Sequence, residues 1–279
     1  MQPQIVKSDG TKELFDSNKL LGSLLRARAS KTIAEDIVEK INKEIRENMT
    51  TSQIYDRAFD LLNNRSKRTA MKYSIRRSVL NLGPTGFPFE KYIAEIFKAK
   101  GYETRTGQML QGKCLEHEVD MVAWNDKELI VAEIKFHNEI NAKSDTKVAL
   151  YVKARFDDLK SENFKIAGKN RKIGRAMLIT NTKFTTNAKK YVQCVGTFEM
   201  ISWDYPSKDN LFDLIEETQM HPMTCIPTLT KKNQQDLLKK GIVNCMSLKN
   251  KSSALKEVGV SDEKINDILE NIETLCMPE

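Results

Sequence analysis

Val119-Asp-Met-Val-Ala-Trp124 and Leu129-Ile-Val-Ala-Glu-Ile-Lys135 carry the decisive reading of this chain. Both are short apolar runs with β-branched residues, and Asn125-Asp126 between them is a turn signal, so together they predict a hairpin. Side chains at i and i+2 of a strand share a face, which puts Glu133 and Lys135 on one side. The hairpin can bring Asp120 alongside them. Charges inside an otherwise apolar strand are costly unless they are paired or coordinate a cation. Two carboxylates with water suit Mg²⁺, a hard ion that keeps several waters and bridges to phosphate oxygens. A metal held there activates water and neutralises charge growing on a phosphodiester, while Lys135 orients the attacking water or stabilises the transition state. The spacing D-x12-E-x-K is loose, and an ion pair between Glu133 and Lys135 is the plainer alternative.

Outward from the hairpin, Phe89, Ile93, Ile96 and Phe97 recur at helical spacing up to Gly101. A helix from about Asp145, a strand over Arg175 to Thr180, a helix from Thr186 and a strand over Glu199 to Trp203 follow. That order predicts a mixed α/β sheet with covering helices. Turn-rich punctuation at Leu82-Gly-Pro-Thr-Gly-Phe-Pro88 and Trp203-Asp-Tyr-Pro-Ser207 marks boundaries, dividing the chain into 1–83, 84–206 and 207–279.

The first segment predicts two short strands, Gln4 to Lys7 and Glu13 to Phe15, around the Ser8-Asp9-Gly10 turn. Helices follow: one capped by Ser17, one with a Thr32-x-x-Glu35 capping box, one capped by Thr51, and one over Lys67 to Asn81. The last segment predicts amphipathic helices, one ending at Gly241 and the last reaching Cys276. Val258-Gly259-Val260 between them resembles the turn of a helix-hairpin-helix. The fold class is multidomain α+β and α/β.

With 279 residues and 40% hydrophobic content, the chain has material for two domains and a small third. Five cysteines and three histidines are scattered without C-x-x-C or H-E-x-x-H spacing, which disfavours a thiolate or imidazole metal site and predicts mostly buried thiols. Net charge is +7, distributed as +6, +4 and −3 over the three segments. The first two thirds are compatible with a polyanionic ligand. No apolar run is long enough for a membrane span and the start lacks a signal pattern, so a cytoplasmic protein is expected.

The order of a helix bearing Glu90, then Asp120, then Glu133-Ile-Lys135 resembles the PD-(D/E)XK nucleases, in particular the Mrr-like restriction endonucleases. Gly86-Phe-Pro-Phe-Glu90 with Gly101-Tyr102 is similar to that family's opening helix, and Ile179-Thr-Asn-Thr-Lys-Phe184 to its later strand and turn. The resemblance covers 84–206. It implies that Asp120 and Glu133 bind metal, that Lys135 acts on the water and that Glu90 assists. Val119 stands in place of the family's Pro, and Glu118 where the Mrr pattern usually has Gly. A surface role is expected for Glu118 and for His117.

Val6-Lys-Ser-Asp-Gly10, Glu13-Leu-Phe-Asp16, Lys19, Thr51-Ser52 and Tyr73 to Arg76 resemble the ATP-cone, a helical bundle capped by a strand layer that binds ATP or dATP as a regulator. By charge alone, Lys7, Lys12 and Lys19 near a helix start offer counter-charge to phosphate. Glu13 and Asp16 offer acceptors to base or ribose. The resemblance implies nucleotide contacts from Val6, Lys7, Glu13, Lys19 and Thr51. Ser8 replaces the family's Arg before Asp-Gly, which removes one cation. No G-x-x-x-x-G-K-[ST] loop is present, so the nucleotide regulates and is not hydrolysed. The expectation is a Mg²⁺-dependent endonuclease on DNA, regulated by ATP or dATP and assembling as a homo-oligomer. The alternatives are a nucleotide-responsive DNA-binding regulator without nuclease activity, or a nuclease on RNA or branched DNA.

Overall fold

A computed structural model describes residues 3–276. By internal packing the chain forms two compact units. One holds the residues up to Arg77, Cys225–Leu229 and the chain from Ser261; the other holds Ser78–Thr224 and Thr230–Val260. The division at 83/84 and 206/207 follows the sequence, whereas these units follow packing.

The first unit begins with an antiparallel hairpin, β1 (Gln4–Val6) and β2 (Lys12–Leu14), with Ile5 opposite Glu13. Gly10 turns it at φ +81°, a backbone angle open to glycine. Four helices follow: α1 (Ser17–Arg26), α2 (Lys31–Glu44), α3 (Thr51–Asn63) and α4 (Lys67–Leu80). Their caps lie one or two residues before the expected ones. Asp16 accepts the Asn18 N–H at 2.9 Å, and Ser30 accepts that of Ile33 at 3.3 Å. The capping box belongs to Thr50 and Gln53, which exchange bonds of 2.8 and 3.1 Å. A cap residue must be extended; Asp16, Ser30 and Thr50 are, while Ser17, Thr32 and Thr51 are already helical. Ile5, Phe15, Leu24, Ile37, Ile41, Ala58 and Leu62 form the core between strand layer and helices.

In the second unit α5 (Phe87–Ala99) precedes β3 (Glu103–Gln111), β4 (Glu116–Trp124) and β5 (Leu129–Lys135). β6 (Lys143–Ser144), α6 (Thr146–Leu159), the small hairpin β7 (Phe164–Ile166) with β8 (Lys169–Arg171), and β9 (Ile173–Thr180) come next. β10 (Lys183–Phe184), α7 (Thr186–Val195), β11 (Glu199–Ile201) and α8 (Leu211–Thr218) follow. The main sheet runs β11-β9-β5-β4-β3, with β3, β4 and β5 antiparallel and β5, β9 and β11 parallel. This is the expected mixed sheet with one strand more. β3 reads Glu-Thr-Arg-Thr-Gly-Gln-Met-Leu-Gln and is mostly exposed; a polar edge strand has no alternation to betray it. Val122, Trp124, Val131, Ala149, Val152, Leu159, Leu178 and Val192 form the core between the sheet and helices α6 and α7.

The chain ends with α9 (Lys231–Lys239), α10 (Cys245–Asn250), α11 (Ser253–Glu257) and α12 (Asp262–Cys276). Helix α12 belongs to the first unit, burying Ile265, Ile268, Ile272 and Leu275, and Asn271 donates to Thr228 Oγ1 at 3.5 Å. Among the described cysteines Cys225 and Cys245 are buried, but Cys114 and Cys194 are exposed, so the expectation of mostly buried thiols holds only in part. No described helix is long and apolar enough to cross a membrane.

Because α12 completes the first unit, Ile268→Ala, which empties a fully buried position, should cost about 2–4 kcal/mol. Urea unfolding of the whole chain by circular dichroism checks this, with exposed Lys264→Ala expected to stay within about 0.5 kcal/mol of wild type.

Candidate active site and nucleotide-facing layer

The pairing of β4 with β5 runs from Trp124 opposite Leu129 to Met121 opposite Ala132. One residue farther, the Asp120 carboxylate accepts the Ile134 N–H at 2.6 Å. A side chain thus satisfies a backbone donor where the regular ladder stops. On its other side β5 stays paired with β9 through Glu133, Ile134 and Lys135. Glu133 and Lys135 therefore stand on a strand fixed from one side and opened on the other by Asp120, at the carboxyl ends of parallel strands where open α/β sheets place their sites.

Glu90 comes from the first turn of α5, where a carboxylate is favoured by the helix dipole. Fully buried Phe89, its ring 5.5 Å from that of Phe136, seats this turn beside the end of β5. A Cβ on Gly86 would stand 3.1 Å from Glu90 Oε1, so the carboxylate lies close against the glycine backbone.

Burial, then the charges of Asp120, Glu118 and Glu133, pushes the Glu90 carboxyl up to about 7. Burial and then Asp120 push Glu133 up to about 7 against the pull of Arg155 and Lys135. Asp120 is raised by burial, opposed by its bond from Ile134 and by Arg155. Four acids from three elements repel one another in a partly desolvated place, as groups gathered for a cation do.

The ion pair expected as the plainer alternative takes a different form. Glu133 pairs with Arg155 of α6, and among the described residues Lys135 has no carboxylate within 4 Å. Arg155 escaped the reading of the sequence, although a trace was there: it falls on the apolar stripe Val148, Val152, Phe156 and Leu159 of its helix, an odd place for an unpaired charge.

Of the other nearby groups, Glu118 is exposed and acts on the site through its charge alone. His117 serves the β3–β4 loop, its Nε2 lying 2.8 Å from Asp158 Oδ2. Asp158 also accepts the N–H groups of Cys114 (2.8 Å) and Leu115 (3.1 Å), and these bonds, that of His117 first, hold it down at about 2.

No group of three or more His, Cys, Asp or Glu side chains among the described residues could by itself hold a metal. Asp120 and Glu133 offer two hard oxygen donors, and a divalent ion such as Mg²⁺ fits such a pair by retaining waters for its other positions.

In the first unit, Lys7 reaches Glu13 Oε2 at 2.6 Å and Lys19 reaches it at 3.4 Å. The bond to Lys7 lowers the Glu13 carboxyl, and the bond to Glu13 raises the Lys7 amine. Lys12 turns to Asn48 Oδ1 at 2.7 Å instead. Val6 donates to Met49 O at 3.0 Å and bridges Thr50, which sets β1 beside the start of α3 and next to Thr51. Val6, Lys7 and Glu13 thus lie on or beside one hairpin, with Lys19 in the first turn of α1 and Thr51 at the start of α3. Asp16 caps α1, its Oδ1 accepting the Asn18 N–H at 2.9 Å.

Comparison with known proteins agrees with this division of labour. Residues 3–80 match the ATP cone domain, 84–206 a restriction endonuclease domain of Mrr type, and 221–276 the AF1548-like C-terminal domain. An ATP cone followed by a restriction-endonuclease-like domain of the PD-(D/E)XK superfamily defines the class. An uncharacterized protein of Archaeoglobus fulgidus is 33% identical over 178 residues, 63% of this chain and 95% of its own length. The crystal structure of AF1548, a protein of unknown function, superposes with a TM-score of 0.54 at 30% identity, over 69% of this chain and 98% of the other. The chain belongs to the AF1548-like family. The MspJI restriction endonuclease in complex with a 27-mer oligonucleotide is also matched, at 12% identity and a TM-score of 0.35 over 72% of this chain and 39% of that one, a likeness too slight to carry an argument.

The raised carboxyls set the sign of a pH effect. Glu90 in the folded protein keeps its proton up to about pH 7, whereas the unfolded chain releases it near 4.5. In EDTA the melting temperature should therefore fall as pH rises from about 5 to about 8. Glu90→Gln should flatten that fall, which thermal scans at stepped pH measure.

Proposed function

We propose that the chain is a Mg²⁺-dependent endonuclease that hydrolyses DNA phosphodiester bonds, and that ATP or dATP bound at the cone regulates it. The observation that carries this is the seat of Asp120 at the opening of the β4–β5 ladder, with Glu133 beside it and two neighbouring carboxyls pushed up to about 7.

Asp120 and Glu133 are the residues to hold the ion, and the bound ion supplies a Lewis acid and an activated water. Asp120 is fixed by its bond from Ile134, so its free oxygen has a defined direction. Exposed at the strand end, Lys135 brings an ammonium that orients the water or meets charge building on the phosphate. Glu90, on the first turn of α5 beside Asp120 and Glu133, is placed to assist them.

At the cone, Lys7 and Lys19 are the cations for a polyphosphate. Glu13 pairs with both, so a polyphosphate would compete with it for them or share them with it. Val6 and Thr51 line the same hairpin and helix start. The nucleotide effect is read as a change in domain arrangement or assembly into a homo-oligomer.

Incubating the purified chain with plasmid, linear, modified and single-stranded DNA and with RNA, in Mg²⁺ or EDTA, tests the activity. Asp120→Ala and Lys135→Ala should each reduce metal-dependent cleavage at least about a hundredfold; cleavage at the wild-type rate in either variant refutes the assignment. Calorimetric titration of the whole chain with ATP and dATP tests the cone. The whole chain is required because α12 completes that unit. Lys7→Ala and Lys19→Ala should each weaken binding about tenfold, as expected for one charge-assisted contact.

A further inference from the structure

Arg155 reaches from α6 to Glu133 of β5. Its side chain is 14% exposed, and that of Glu133, its partner, 19%. One guanidinium nitrogen donates to Glu133 Oε2 and the other to the Tyr151 hydroxyl one turn back. The guanidinium carbon lies 4.7 Å from the centre of the Tyr151 ring, and the ring is itself exposed. Arg155 Nε is buried and has no hydrogen-bond partner among the described residues. Guanidinium and carboxylate thus meet through one nitrogen and not through the two parallel bonds of the strongest Arg–carboxylate pairs.

Two facts follow. Glu133 has a resident cation, without which it would stand half-buried beside Asp120 with its charge opposed only by Lys135 at the exposed strand end. The cation is held in a form that a small doubly charged ion can outcompete, since Coulomb attraction scales with charge and closeness.

We infer that Arg155 is the internal counter-ion of the carboxylate cluster: it neutralises Glu133 until a divalent ion arrives, and it competes with that ion for the carboxylate. The inference rests on the reading of Asp120 and Glu133 as the metal pair. Arg155 is a positioning residue, acting through Glu133, with Tyr151 holding its guanidinium flat. The metal-free site is thereby kept assembled, and its affinity for divalent ions is set lower than two bare carboxylates would set it.

Titration calorimetry with Mg²⁺ and with Ca²⁺, together with thermal scans in EDTA and in excess Mg²⁺, tests this on the full chain and on Arg155→Met and Arg155→Lys. Arg155→Met should melt at least about 5 °C lower in EDTA, should bind either ion about tenfold more tightly than wild type, and should regain more melting temperature from Mg²⁺ than wild type does. Arg155→Lys, which keeps the charge, should restore wild-type affinity. A change in packing alone lowers the melting temperature without tightening metal binding, so equal or weaker affinity in Arg155→Met overturns the inference. If Arg155→Met does not fold, Arg155→Gln carries the same comparison. Absence of binding heat in every protein, wild type included, overturns the metal reading of Asp120 and Glu133 itself, an outcome distinct from wild type and variant binding equally well.

Discussion

The Asp120 carboxylate on the Ile134 N–H is the contact around which the rest of the site is arranged. Regular pairing of β4 with β5 ends at Met121 opposite Ala132. The strands part there, and Ile134 N–H, left without a ladder partner, is given the carboxylate. That exchange fixes the direction of Asp120. It also leaves the end of β5, with Glu133 and Lys135, reachable from the β4 side while β9 holds it from the other.

Electrostatics then does the selecting. Glu90, Asp120 and Glu133 come from α5, β4 and β5, and Glu118 adds its charge from an exposed position on β4. Partial burial strengthens their repulsion until two of them titrate near 7, so the arrangement is held by surrounding packing and not by any attraction among its members. Phe89 against Phe136, the pairing of β5 with β9, and Arg155 from α6 supply that support. The cone shows the same economy with opposite signs: Lys7 and Lys19 share Glu13. At both places a side chain of opposite sign offsets part of the clustered charge.

Much of this was legible in the linear chain. The apolar runs at 119–124 and 129–135 locate their strands, and the i, i+2 relation of Glu133 to Lys135 follows from strand geometry alone. The strand Ile173–Thr180 and helices α3 to α7 and α12 lie close to where spacing and caps put them. Strand β3 was not legible, because an edge strand with polar residues on both faces leaves no period in the sequence. The caps slipped by one or two residues because Asp16-Ser17, Ser30 to Thr32 and Thr50-Thr51 each place competent cap residues close together, and only the backbone angles choose among them.

By itself the sequence determined which residues carry charge in apolar surroundings, the order of the elements and the two charged groupings, because local periodicity and residue type are properties of short stretches. Only the tertiary structure decided that Arg155 and not Lys135 forms the ion pair with Glu133, that Asp16 caps a helix, and that α12, at the far end of the chain from β1, completes the amino-terminal unit. Those outcomes depend on which distant segments pack together, and burial between them decides which charge is left in need of a partner.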